Sequence, residues 1–389
     1  MSEEAVVAGA TGAAGRAEGP GADGPAVPAV TERSGRSLGR LHPTTAMLMV
    51  SLLALVLLLA ASSVLPVPYA VMSPGPATNT LGEQQGTPLI AVKGATTYPT
   101  SGGLDLTTVR IYGGEGRRVT LWQVVSGWLS PEVTVVREEA MFPPGQTAEE
   151  TKEQNQQLMA SSQESATAAA LTALGYSVPR HMQVLSFAED SPSRGVLAEG
   201  DQVISVGGTP VGGGDALRAE LQKVTPGEKA RLVVRRAGRE VSLDVPTTTG
   251  STGATVMGVI VKPAFTFPFD VTIQIENVGG PSAGTMFALG IIDKLTPGSM
   301  TDGRTVAGTG TITEDGVVGP IGGIRQKMVG AREAGASVFL APADNCPDVV
   351  GYVPEGLSVI RMATLAEARA ALEEVRSGGP DSTRLPRCS

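Results

Sequence analysis

Two side chains in the C-terminal third of the chain could do chemistry together. Ser282 sits in the frame Gly279-Gly280-Pro281-Ser282-Ala283-Gly284, and Lys327 ends the frame Gly319-Pro320-Ile321-Gly322-Gly323-Ile324-Arg325-Gln326-Lys327. A hydroxyl and an amine can act as nucleophile and general base when the amine is neutral. The only histidines, His42 and His181, have no partner at triad or metal-ligand spacing, so any catalysis is expected to run without histidine, metal or cofactor.

Local spacing gives each residue a chemical reading and a plainer one. Pro281 suits a first helical turn, which would put Ser282 at a helix N-terminus, where free N–H groups favour a developing negative charge. A serine there is also an ordinary cap. On a helix beginning at Ile324, steps of about 100° put Ile324, Met328, Ala331 and Ala334 on one face, with Lys327 among them and Arg325, Gln326, Arg332 and Glu333 opposite. A lysine desolvated among apolar groups loses basicity and can take a proton from a hydroxyl. Equally, its stem could pack while its head reaches water.

The elements that must hold these residues read as an α/β domain over 254–376. Strands are expected at Thr255–Val261 and Val271–Glu276, then a helix Pro281–Leu295, strands flanking Asp315-Gly316, and a helix Ile324–Ala334. Strands Val338–Leu340 and Leu357–Met362 follow, then a helix opened by Thr364-Leu365-Ala366-Glu367, the spacing of a capping box.

Several separate blocks here agree in order with one family. Gly280-Pro281-Ser282-Ala283-Gly284, Thr309-Gly310-Thr311, Gly316 and Pro320 to Lys327 closely resemble the proteolytic domain of Lon-type proteases. The resemblance implies Ser282 as nucleophile, Lys327 as general base and Thr309 as a residue that helps position the lysine; as an ordinary strand residue Thr309 would need no such role. Many family members carry an acidic residue where this chain has Gly279. Lon domains commonly assemble into rings, so a homo-oligomer is admitted. Cytosolic members add an ATPase module, yet no Gly-x-x-x-x-Gly-Lys-Ser/Thr occurs in these 389 residues, which points to unfolded or flexible protein substrates cleaved without ATP.

Upstream, residues 1–42 are poor in large apolar side chains and are expected to be a disordered, cytoplasmic leader. Ala46 to Leu65 is nearly all apolar, so 43–67 reads as a transmembrane anchor, with Arg33, Arg36 and Arg40 holding its start inside and the rest outside the cell membrane. A cleaved signal peptide ending near Ala60-Ala61-Ser62 is the alternative. Residues 77–176 read as strands and helices of no assigned role, with a capping box at Thr147-Ala148-Glu149-Glu150 and a short helix Leu121–Leu129.

Residues 177–249 change to short strands and tight turns. Ser191-Pro192-Ser193-Arg194-Gly195, Gly200-Asp201-Gln202-Val203-Ile204-Ser205-Val206-Gly207-Gly208 and Pro226-Gly227 resemble a PDZ domain, which implies capture of peptides by strand addition, or else a docking module that binds none. A link, Thr247–Gly253, would follow, and 377–389 would be a disordered tail. Charges are intermixed at a net −8, which argues against nucleic acid. The whole resembles the bacterial membrane-anchored, PDZ-containing Lon-like serine proteases. Its expected function is ATP-independent endopeptidase; the alternative is an inactive membrane-anchored peptide-binding scaffold.

Overall fold

The computed structural model describes residues 42–276 and 278–388, so the expected leader, apart from His42, and Asn277 lie outside it. The apolar run forms one helix, α1 (Pro43–Val64), in which no side chain is buried. At about 1.5 Å per residue its 22 residues are long enough to cross a bilayer.

Behind it come β1 (Pro66–Val67), β2 (Tyr69–Asn79), a small hairpin of β3 (Glu83–Gln84) and β4 (Thr87–Pro88), β5 (Ile90–Lys93) and β6 (Gly103–Tyr112). Then β7 (Val119–Thr120), α2 (Leu121–Leu129) and β8 (Thr134–Arg137) lead to α3 (Ala148–Ala173). Thr147 opens α3 with the expected reciprocal capping box, its side chain accepting from Glu150 N while Glu150 accepts from Thr147 N.

The C-terminal part supplies β17 (Asp270–Ile273), α5 (Gly284–Leu295), β18 (Thr305–Gly308), β19 (Thr311–Ile312), β20 (Val318–Gly319) and α6 (Ile324–Glu333). It closes with β21 (Val338–Pro342), α7 (Cys346–Val349), β22 (Ser358–Met362) and α8 (Leu365–Gly378).

Residues 77–176 do not stand apart from this. One six-stranded sheet runs β22-β21-β18-β6-β2-β8, parallel from β22 to β6 and antiparallel beyond, so strands from both ends of the described chain share it. Alternation along the strands fills two layers. Leu104, Leu106, Val306, Leu340 and Ile360 face α3, α5 and α8, whereas Ala307, Phe339, Ala341 and Val359 face α6. The proteolytic domain expected at 254–376 therefore needs β2 and β6 to complete its core, a pairing that spans some 200 residues of sequence and leaves no local signal. Packing on the α6 side is tight: a Cβ at Gly330 would lie 2.5 Å from the Gly75 carbonyl oxygen on β2.

The second sheet runs β13-β12-β10-β9-β16, with β11 added to β10. Its members are β9 (Arg180–Phe187), β10 (Gln202–Val206), β11 (Thr209–Pro210), β12 (Lys229–Arg236) and β13 (Arg239–Pro246), with α4 (Gly214–Leu221) beside them. Two boundaries differ from expectation. Thr247–Gly253 is no free link, because β14 (Thr248–Thr249) pairs with β15 (Thr255–Val256) and Thr247 Oγ1 donates to the Glu228 carbonyl at 2.7 Å. The strand expected to open the proteolytic domain splits instead into β15 and β16 (Val259–Phe265), and β16 pairs with β9 because Val259 and Val261 pack against this sheet's own core. α4 follows Gly213, and in its first turn Asp215 accepts from Arg218 at 2.8 Å.

The tail also departs from expectation. Cys388 is disulfide-bonded to Cys346 and Leu385 is buried, so residues 379–388 lie fixed against the domain. The bridge closes a loop across a separation of 42 residues, which is worth about 2–4 kcal/mol. Dithiothreitol is expected to lower the thermal midpoint of the wild type and to leave that of a Cys346→Ala/Cys388→Ala variant unmoved; equal midpoints with and without reductant in the wild type would contradict the bridge.

Candidate active site

α5 and α6 lie on opposite faces of the six-stranded sheet, and their amino ends meet beside the middle of β6 and the end of β18. α5 starts at Gly284 with Ala283 as its N-cap, later than the expected Pro281, so Ser282 lies in the turn just before the helix and its side chain caps nothing. Lys327 projects from the first turns of α6 and is 2% exposed. The helical-wheel expectation holds for Lys327 but not for Gln326, which is also buried, its amide donating to the Glu132 carbonyl (3.2 Å) and to Thr134 Oγ1 (2.8 Å).

The Lys327 amine has three partners: Ser282 Oγ at 2.9 Å, Thr309 Oγ1 at 3.0 Å and the Thr107 carbonyl oxygen on β6 at 2.8 Å. Ser282, Lys327 and Thr309 are thus brought together. Burial pushes the amine down from the ordinary lysine value to about 7. The positive end of α6 acts in the same direction on a cation in its first turns.

Hydrogen-bond accounting then fixes which way the protons point. A carbonyl can only accept, so one Lys327 N–H goes to Thr107. Thr309 Oγ1 lies 3.0 Å from the Ser282 carbonyl and donates its one proton there, so it accepts the second Lys327 N–H. A neutral amine has two protons, and both are used. Its lone pair is left for Ser282 Oγ–H, the orientation in which lysine is a base and serine a donor.

The peptide planes around Ser282 are held as firmly. The Pro281 carbonyl accepts from Ser162 Oγ on α3 (3.0 Å), and the Ser282 carbonyl accepts from Thr309 Oγ1 and from Gly310 N (2.9 Å). In a trans peptide N–H points opposite to C=O. The amides of Ser282 and Ala283 are thereby aimed away from these donors, and neither has a hydrogen-bond partner among the described residues.

Gly279 has a local explanation. A Cβ there would lie 2.9 Å from Asn155 Cβ on α3, and the Asn155 carbonyl accepts from Gly280 N at 3.0 Å, so α3 fills the space an acidic side chain would use. Desolvation, and no neighbouring charge, lowers the Lys327 pKa. Thr107, Ser162 and Asn155 carry no sequence signal for these roles; Thr107 and Asn155 act through main-chain carbonyls, and Thr107 is 220 residues from its partner. His181 lies buried on β9 in the other sheet, where burial and then Arg235 lower its pKa. Among the described residues no cluster of His, Cys, Asp and Glu is placed to hold a metal ion.

Comparison with known proteins gives matches in two places. Residues 272–373 match the Lon protease (S16) C-terminal proteolytic domain, and residues 156–247, beginning inside α3, match the PDZ domain. Lon protease 1 of Bacillus subtilis (strain 168) is 30% identical over 162 residues, 40% of this chain and 20% of that protein. The Lon protease of Mycolicibacterium smegmatis is 38% identical over 102 residues, 24% of this chain and 12% of its own length. This chain thus spans a fifth or less of these relatives. The solved PDZ domain of an SdrC-like protein from Listeria monocytogenes aligns with 21% of this chain and 86% of its own at 17% identity, with a TM-score of 0.20. The chain carries a Lon-type proteolytic domain and a PDZ-like domain, with an apolar helix long enough to cross a membrane ahead of both.

Proposed function

We propose that this protein is a serine endopeptidase in which Ser282 attacks and Lys327 is the general base. The observation that carries the reading is the 2.9 Å contact between Lys327 Nζ and Ser282 Oγ, made by an amine whose two protons are taken by Thr107 and Thr309. Ser282 Oγ forms the bond to the peptide carbonyl carbon as its proton passes to Lys327 Nζ, and the amides of Ser282 and Ala283 stabilise the oxyanion. The C–N bond breaks as Lys327 returns the proton to the leaving amine. Water, deprotonated by Lys327, then attacks the acyl ester, and the proton returns to Ser282 as the acid leaves. Thr309 touches no substrate in this scheme; it orients the amine.

Three further features fill in the setting. No Gly-x-x-x-x-Gly-Lys-Ser/Thr occurs in these 389 residues, and cleavage is read as independent of ATP. The Cys346–Cys388 bridge favours an oxidising compartment, which agrees with arginines ahead of α1 and the catalytic domain outside the membrane. β16 is the end strand of the PDZ-like sheet, pairing with β9 on one side and with no strand on the other among the described residues, and α4 packs beside it. An unfolded substrate segment would add there as a further strand.

Casein cleaved by the detergent-solubilised chain without nucleotide is the direct test. Ser282→Ala and Lys327→Met are expected to lose at least 10²-fold in kcat/KM, and Thr309→Val to lose less with its pH profile displaced. Equal cleavage by all of them would overturn the dyad.

The base must be neutral, so wild-type kcat/KM is expected to rise with pH through about 7 and level off above it. The same burial costs stability. The folded-state pKa lies below the unfolded one, so the cost is greatest below about pH 7 and fades as pH rises towards the ordinary lysine value. Lys327→Met is therefore expected to be inactive and more stable at pH 7 by a few kcal/mol, read from denaturant midpoints; a destabilised variant would contradict the buried, weakened amine.

For the PDZ-like domain, hydrogen exchange on the Ser282→Ala chain with unfolded casein added is expected to show new protection in β16. Unchanged exchange there would sink the strand-addition reading.

A further inference from the structure

α2 places its large apolar side chains on the wrong side for a soluble protein. Only Val124 and Gly127 are buried, against the sheet, while Leu121, Trp122, Val125, Trp128 and Leu129 are exposed, Trp122 at 54%, Trp128 at 62% and Leu129 at 82%. At about 100° per residue these five fall within one arc of about 120°. They form a continuous apolar stripe along a nine-residue helix.

The place of α2 in the chain says what the stripe meets. β1 begins two residues after α1 ends and pairs with β7, Pro66 opposite Thr120 and Val67 opposite Val119. Thr120 is the N-cap of α2, and the first amide of α2, Leu121 N, donates to the Leu65 carbonyl at 3.3 Å. The first residue of α2 is thus hydrogen-bonded to the residue that follows α1. Trp128 is further braced edge-on against Tyr69 on β2, with ring centroids 6.1 Å apart. Exposed Arg117 and Arg118 stand just before β7.

We propose that α2 lies in the interfacial layer of the membrane that α1 crosses, its stripe sunk among the acyl chains nearest the headgroups and Arg117 and Arg118 against anionic lipid. This rests on the anchoring reading of α1. Tryptophan favours that depth, an amphipathic helix with its apolar face in the boundary layer is a stable arrangement, and arginines beside it are drawn to anionic headgroups. Docked so, α2 and α1 would give the catalytic domain two points of attachment and a fixed face towards the bilayer.

Trp122 and Trp128 are the only tryptophans in the sequence, so the protein's own emission reports on α2 alone. The full chain is reconstituted at one copy per disc in phosphatidylcholine–phosphatidylglycerol nanodiscs bounded by an aliphatic polymer, which adds no tryptophan and leaves both membrane faces open. Lipids brominated near the headgroup are expected to at least halve the emission, lipids brominated near the bilayer centre to quench it less, and iodide in the buffer to have little effect. Val125→Ser/Leu129→Ser is expected to reduce the shallow-bromine quenching while the chain still elutes with the discs. If the wild type elutes with the discs but iodide quenches and bromine does not, the α2 proposal is overturned and the anchor stands. Emission shielded from both quenchers means that protein covers the stripe, and also overturns it. A chain that does not elute with lipid overturns the anchor and the proposal together.

Discussion

An amine held out of water is the constraint on which the rest of this structure turns. Lysine is charged at neutral pH unless its surroundings make the charge expensive, and the Lys327 pKa falls to about 7 because α6, β6 and the end of β18 enclose the amine. Enclosure alone would leave a buried polar group unpaired. Thr107 and Thr309 supply an acceptor for each N–H, and Ser282 meets what remains. The arrangement needs no carboxylate. That accounts for Gly279, whose missing side chain is the space into which α3 packs.

The same requirement explains why the Lon-type domain extends beyond its matched segment. Residues 272–373 hold the serine, the lysine and Thr309, but the third contact of the amine comes from β6 and one brace on the serine turn comes from Ser162 on α3. α3 therefore serves two neighbours. It lies on the serine turn through Asn155 and Ser162, and Glu164 on the same helix pairs with Lys262 on β16 at 3.3 Å. Through these three residues the middle of α3 ties the end strand of the PDZ-like sheet to the backbone that carries Ser282.

The sequence spoke most clearly where function is written in residue types at short range. Ser282 and Lys327 stood in glycine-rich frames, the wheel put Lys327 on the buried face, and the Thr147 and Thr364 caps mark real helix starts. It was silent where the contact is made by main chain or across long separations. Any residue offers the carbonyl that Thr107 does, and nothing local joins β6 to β18 or Cys388 to Cys346. It misled at the strand expected over Thr255–Val261, whose last residues instead begin β16 and pair with the other sheet, because a strand's pattern gives its burial but not its neighbour.

The central claim is that Lys327 is a weakened base in the folded protein, and its own titration tests this most directly. With lysine labelled at the ε-carbon, the Lys327 resonance, assigned by its loss in Lys327→Met, is predicted to titrate near pH 7 and to move when Ser282 is replaced by alanine. A Lys327 resonance that titrates with the exposed lysines, near the ordinary value of about 10.4, would contradict the account.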